Sequence, residues 1–166
     1  MRLFIAIQFD QKVLDILKSF QDKLKSQGVK GNYSRSENLH LTLAFIGDYD
    51  DPGKVLGAIN QVEIRPFDIM LEGVGQFGDI FWVGLAKNPA LEAVVKRLRK
   101  KLGEYDIPYD KKKFLPHITL IRKAVGITGD SITSFDASET KISVTKISLM
   151  KSERGKNGMI YTEIGY

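Results

Sequence analysis

A four-residue string occurs twice in this chain, as His40-Leu41-Thr42-Leu43 and as His117-Ile118-Thr119-Leu120, with 77 residues between equivalent positions. The chain has two histidines in all, and each heads one copy. Phe4 and Phe81, each within a short apolar run, also stand 77 apart, and at the same offset Leu14 falls on Leu91 and Leu43 on Leu120. A fixed offset shared by several landmarks is the signature of a duplicated structural unit. The fold is therefore constrained to be two similar halves, approximately residues 1–77 and 78–166.

The order of elements within each half follows from periodicity. Leu3 to Phe9 is an apolar run closed by Asp10 and reads as a buried strand. Asp10 then caps a helix whose apolar stripe is Val13, Leu17, Phe20 and Leu24, with Gly28 as its stop. Val29 to Asn38 is a polar connection, and Leu39 to Ile46 is the strand carrying the first motif. Asp51-Pro52 starts a short helix, and the alternation Phe67, Ile69, Leu71 marks a third strand. The second half repeats this plan: strand Ile80 to Ala86, a helix from Asn88-Pro89 with stripe Leu91, Val94, Leu98 and Leu102, and strand Phe114 to Ile121 with the second motif. The alternation in 67–71 recurs at 145–149, offset by 78. Gly126 to Thr140 lacks a helical period and reads as loop, and Ile160 to Ile164 reads as a closing strand. The expected fold class is α+β: two pseudo-symmetric lobes from a duplicated strand-helix-strand-strand unit. Mostly antiparallel sheets face a central cleft, with helices outside, in one bilobed domain spanning 1–166.

Strand geometry decides which motif residues act together. Side chains alternate faces, so His40 and Thr42 point one way and Leu41 and Leu43 the other, and the second copy behaves alike. Each copy presents an imidazole and a hydroxyl, with the aliphatics packed behind under the helix of its own half. If an approximate two-fold relates the halves, two imidazoles and two hydroxyls converge on one cleft. In-line displacement at phosphorus needs a base on one side and an acid on the other, and two-fold placement supplies both. Histidine suits the task because its unperturbed pKa of about 6.5 lets one ring accept a proton while the other donates. Threonine hydroxyls hold the non-bridging oxygens. No metal or cofactor is expected. A zinc site would take its remaining ligands from carboxylates alone, and neither a Gly-x-Ser-x-Gly elbow nor a cysteine nucleophile is present.

The net charge is +5, and it is unevenly distributed. Residues 1–77 hold 9 Lys and Arg against 10 Asp and Glu, net −1; residues 78–166 hold 16 against 10, net +6. The clusters are Lys96-Arg97 with Arg99-Lys100-Lys101, then Lys111-Lys112-Lys113, then Lys151, Arg154 and Lys156. Together they favour a polyanionic partner such as nucleic acid. With no cysteine and no apolar run approaching about 20 residues, a soluble, cytoplasmic protein without disulfides is expected.

The opening Met1-Arg2-Leu3-Phe4-Ile5-Ala6-Ile7, the string Glu37-Asn38-Leu39-His40-Leu41-Thr42-Leu43 with Phe45-Ile46-Gly47, and Phe114-Leu115-Pro116-His117-Ile118-Thr119-Leu120-Ile121-Arg122 resemble the 2H phosphoesterases. Within them the likeness is to the RNA 2′,3′-cyclic phosphodiesterases, also called 2′-5′ RNA ligases of the LigT type. The resemblance implies hydrolysis of a terminal 2′,3′-cyclic phosphate to a 2′-phosphomonoester, with His40 as proton donor, His117 as proton acceptor, and Thr42 and Thr119 holding the phosphate. It implies RNA ends or tRNA fragments as partners and 2′-5′ ligation as the reverse of the same chemistry. A monomer is expected, with no obligatory protein partner and no membrane. Arg122 matches a phosphate-contacting arginine of the family, although alternation alone sets it on the face opposite to His117. Phe45 holds the equivalent place after His40, where it either stacks on a base or joins the core. Two departures stand out: Ala44, where many relatives are basic, and Asn32-Tyr33-Ser34-Arg35 in place of a tryptophan-valine-proline type segment. Two rival functions remain: a cyclic phosphodiesterase for small nucleotides or ADP-ribose cyclic phosphate, and a non-catalytic RNA-binding module.

Overall fold

The computed structural model describes residues 1–136 and 140–166. In chain order the elements are β1 (Arg2–Gln8), α1 (Gln11–Ser26), β2 (Lys30–Tyr33), a 3-10 turn (Ser36–Asn38), β3 (His40–Asp48), α2 (Pro52–Asn60), β4 (Phe67–Phe77), β5 (Ile80–Leu85), α3 (Pro89–Glu104), β6 (His117–Val125), α4 (Gly129–Thr133), β7 (Lys141–Val144), β8 (Ser148–Gly155) and β9 (Gly158–Gly165). The three longer helices start where side-chain caps satisfy orphan N–H groups. Asp10 accepts from the Val13 N–H at 3.1 Å, Asp51 from Lys54 at 3.0 Å and Asn88 from Leu91 at 3.0 Å. Pro52 and Pro89 occupy the first helical turn, where a missing N–H costs nothing.

The strands form two antiparallel sheets, of order β3-β1-β8-β9 and β2-β6-β5-β4-β7. Neither sheet belongs to one half of the chain. The first takes β1 and β3 from the first half and β8 and β9 from the second; the second takes β5, β6 and β7 from the second half and β2 and β4 from the first. The helices cross as well. The Phe20 ring of α1 lies 6.1 Å from that of Phe81 on β5, while α3 packs on β3 and β4. The expectation that each motif strand sits under the helix of its own half is therefore corrected: an apolar stripe shows which helix face is buried and not which sheet it meets. One hydrophobic core joins the backs of both sheets, from Leu3, Ile5 and Ile7 to Phe81, Val83 and Ile118. On the other side, β3 and β6 lie against each other and bring the motif faces together. No helix among the described residues is long and apolar enough to cross a membrane.

Four further readings change. The polar stretch 29–38 holds β2, an edge strand paired with β6, and the 3-10 turn. The stretch 126–140 holds α4, a single turn closed by a capping box between Thr128 and Ser131; five residues are too few to show a period, and residues 137–139 lie outside those described. The alternating stretch 145–149 straddles the gap between β7 and β8. The matched phenylalanines are also out of register. Across β1–β3 Ala6 opposes Thr42, and across β5–β6 Trp82 opposes Thr119, so the structural offset between β1 and β5 is 76. Phe4 lies on the cleft side against His40, whereas Phe81 is buried in the core. A slip of one residue exchanges the two faces of a strand.

Candidate active site

Each motif strand carries an irregularity at the same place. Ile5 opposes Ala44 and Ala6 opposes Thr42, leaving Leu43 as the extra residue; Phe81 opposes Ile121 and Trp82 opposes Thr119, leaving Leu120. A bulge restarts the alternation of faces. Leu43 and Ala44 are both buried, as are Leu120 and Ile121. Beyond each bulge the parity reverses, which turns Phe45 and Arg122 onto the side of the histidines. Phe45 is 49% exposed, with its ring 6.2 Å from Phe4 on the cleft side, and so is no core residue. Arg122 is exposed, and its charge reaches His40 from the opposite sheet. The same bulge buries Ala44, so this position does not face the cleft here.

The two imidazoles are held in the same manner. His40 Nδ1 lies 2.6 Å from the Asn38 carbonyl and His117 Nδ1 2.6 Å from the Leu115 carbonyl, in each case two residues back. A carbonyl only accepts, so Nδ1 carries the proton in both rings and a neutral ring presents a bare Nε2. At His40 that nitrogen takes a hydrogen bond from the Thr42 hydroxyl at 2.8 Å. The residues that supply these carbonyls are themselves tied: the Asn38 side-chain amide donates to Met159 O at 2.9 Å and its backbone N–H to Arg35 O at 2.9 Å, and Pro116 restricts Leu115 to extended conformations.

Aromatic side chains enclose each histidine. His40 sits between Phe4, at 4.9 Å between ring centroids, and Tyr161, edge-on at 5.3 Å. His117 meets Phe77 edge-on at 5.0 Å and Trp82 at 5.9 Å. The Trp82 ring lies over Gly75 and Gly84, where a Cβ would approach ring carbons to 2.3 Å and 3.2 Å. Burial pushes the His40 pKa down, against the Asn38 hydrogen bond, and the positive charges of Arg122 and His117 push it further down. The imidazolium at His40 is thus the costly form. With two histidines, the chain yields two sets of imidazole resonances, which a His40→Ala variant assigns. By NMR titration His40 is expected to have its midpoint below about 6.5, and Arg122→Gln to move it upward, because one opposing charge is gone. A midpoint that stays put or falls in Arg122→Gln would contradict this geometry.

Gln21 is a positioning residue that the sequence reading passed over. It is buried at 1% exposure, and its Nε2 donates to Leu120 O at 3.1 Å and Ser34 O at 2.9 Å. The Ser34 N–H donates to Leu120 O as well, and the Ser34 hydroxyl to Thr119 O. The bulge carbonyl therefore has two donors. The signal was a polar residue inside an apolar stripe, since 17, 21 and 24 share one helix face. Phe4, Phe77, Trp82 and Tyr161 were missed for another reason: alternation does not reveal which aromatic belongs to the cleft when both faces of a sheet are covered. Among the described residues no group of three or more side chains is arranged to hold a metal ion.

Comparison with known proteins bears on this geometry. The model of the 2′-5′ RNA ligase superfamily matches residues 14–156, most of the chain and both motifs. The chain belongs to the 2′-5′ RNA ligase superfamily. As a member it is 29% identical, over 99% of its length, to a Methanocaldococcus jannaschii protein named RNA 2′,3′-cyclic phosphodiesterase, 98% of which is covered. It is 30% identical to a protein of that name from Thermotoga maritima, over 74% of this chain and 70% of the relative. Its fold matches apo LigT of Escherichia coli with a TM-score of 0.85 at 24% identity, covering 98% of this chain and 94% of that one. A Thermus thermophilus structure gives 0.81 at 25% identity, with 99% and 95% covered. For this superfamily member the α+β architecture with antiparallel sheets stands as expected.

Proposed function

We propose that this chain hydrolyses 2′,3′-cyclic phosphate ends of RNA to 2′-phosphomonoesters, using its two histidines as acid and base and no metal ion. One observation carries the reading: two imidazoles on facing sheets, each with Nδ1 fixed by a backbone carbonyl so that Nε2 is the working atom. The M. jannaschii and T. maritima relatives bear the name of that activity. Phosphate binds between the motif strands, with Thr42, Thr119 and Arg122 around its non-bridging oxygens. His117 Nε2 takes a proton from water as the water oxygen bonds to phosphorus. The P–O3′ bond breaks in line, and His40 Nε2 gives its proton to O3′. The product is a 2′-phosphomonoester beside a 3′-hydroxyl, and a proton exchanged through solvent resets the pair.

The lowered pKa of His40 fits a donor. An imidazolium destabilised by burial releases its proton readily, and the bound cyclic phosphate anion supplies the counter-charge that populates it. In the same direction, with a 5′-hydroxyl in the place of water, the same transfers open a cyclic end to form a 2′-5′ junction. The test is an oligoribonucleotide ending in 2′,3′-cyclic phosphate, offered in excess EDTA, with the product mapped. A 2′-phosphate formed at the rate seen without chelator is the expected result. A 3′-phosphate, or activity that returns only on adding a divalent cation, would overturn the reading. RNA bound and left intact would make the protein a binding module.

A further inference from the structure

The three basic clusters of the second half differ in what their charges already do. On α3, Arg97 donates to the Glu63 carbonyl at 3.0 Å, and Lys101 pairs with Glu104 at 2.9 Å. Lys96 and Lys100 lie on the exposed side of the helix, whose other side packs on the sheets. Lys151 pairs with Glu153 at 3.4 Å. Lys111, Lys112 and Lys113 are exposed, and no carboxylate among the described residues forms an ion pair with them.

These three lysines also have a fixed backbone. The Asp110 N–H donates to Phe45 O at 2.9 Å, which ties the segment to β3. The Asp110 carboxylate accepts from the Lys112 N–H at 3.0 Å, and Arg99 donates to Lys112 O at 2.7 Å. The Arg99 guanidinium lies 5.9 Å from the Tyr109 ring centroid and 6.0 Å from that of Phe114, so α3 props the segment from below. The chain then enters His117. The segment thus runs from the backbone of Phe45, whose side chain is exposed, on one motif strand to His117 on the other. His117 lies four positions after Lys113, a reach of at most about 14 Å. Three adjacent cations held in place without counter-ions repel one another, and a polyanion relieves that cost. A basic track beside an exposed aromatic is also the form in which proteins hold single-stranded nucleic acid.

We propose that Lys111, Lys112 and Lys113 form a track for the phosphates immediately 5′ of the cyclic end, which makes an oligonucleotide, and not a mononucleotide, the favoured substrate. This rests on the functional reading above and names its substrate class. The test compares kcat/KM for 2′,3′-cyclic AMP and for cyclic-phosphate-ended oligoribonucleotides of increasing length, in wild type and in the Lys111→Gln/Lys112→Gln/Lys113→Gln variant. The wild type is expected to favour oligonucleotides about tenfold or more through KM, with affinity falling steeply as salt rises. The variant is expected to lose that preference and to flatten the salt slope by about 2, at roughly 0.7 per phosphate contact, while turning over 2′,3′-cyclic AMP as the wild type does. That unchanged turnover also shows that the variant is folded. A variant that keeps the wild-type length preference and salt slope overturns the track, as does a preference that disappears in Arg154→Gln/Lys156→Gln instead. A wild type that acts equally on cyclic AMP and oligonucleotides overturns the track and leaves the chemistry standing; no turnover of either substrate overturns both.

Discussion

His40→Ala and His117→Ala are each expected to lower turnover of a cyclic-phosphate-ended oligonucleotide by about 10² to 10⁴, the usual contribution of one general acid or base. KM should change little, since Thr42, Thr119 and Arg122 remain. The double variant should fall hardly further than the worse single one, because acid and base act in one displacement and the loss of either already blocks it. The His40 ring packs between Phe4 and Tyr161, so His40→Gln serves as a companion that leaves less empty space. It should be about as inactive and melt nearer the wild-type temperature. The measurement is single-turnover cleavage alongside a thermal melt. A folded His117→Ala protein that keeps wild-type turnover would end the two-histidine mechanism, and a folded His40→Gln protein doing so would end the donor role.

The second large effect is expected at a residue that has no side chain of its own. Gly84 opposes His117 across β5–β6, and a Cβ there would come within 2.8 Å of the Glu72 backbone oxygen and 3.2 Å of the Trp82 ring. A backbone atom cannot turn aside as a side chain can. Gly84→Ala therefore has to push β4 from β5, at a cost of about 1–3 kcal/mol, or roughly 2–12 °C in melting temperature for a domain of this size. Because the displaced ring flanks His117, kcat should fall as well, by up to about 10² for a misplacement near 1 Å. Gly103→Ala is the control: it lies in α3 with open space around its Cβ position, and alanine there should stabilise by up to about 1 kcal/mol. Equal melting temperatures for the two variants would show that Gly84 does not set the spacing of the strands.

The inward placement of the two His-Thr pairs was legible in the sequence because it depends on two strings and on strand parity, both local. Asp10, Asp51 and Asn88 announced three helices through capping, which is likewise local. What the sequence concealed was where parity fails. The bulges at Leu43 and Leu120 leave no composition signature, yet they decide that Phe45 and Arg122 face the histidines and that Ala44 does not. The match of Phe4 with Phe81 misled for the same reason: the offset between β1 and β5 differs by one from that between the motifs, and identical residues then sit on opposite faces. Partner choice was hidden too. The stripe of α1 gave its buried face correctly but could not say that it covers β5 and β6, and Gln21 becomes intelligible only once the Leu120 carbonyl is seen above it.

The exchange of strands between the sheets bears on how such a site becomes asymmetric. A single strand-helix-strand-strand unit would have no place within itself for its third strand, and the strand meant to receive that partner would keep an open hydrogen-bonding edge. Two identical copies lending strands reciprocally would close both edges as an intertwined two-fold dimer. Symmetry would then oblige its two imidazoles to have the same neighbours and the same proton affinity. Joining the copies in one polypeptide lifts that obligation. Here Ala6 and Trp82 occupy equivalent places opposite the two threonines, and Gln21 stands 77 residues before Leu98. The covalent link between units is what allows two rings with the same backbone tether to have different neighbours, Phe4 and Tyr161 at one and Phe77 and Trp82 at the other, as the proposed division into acid and base requires.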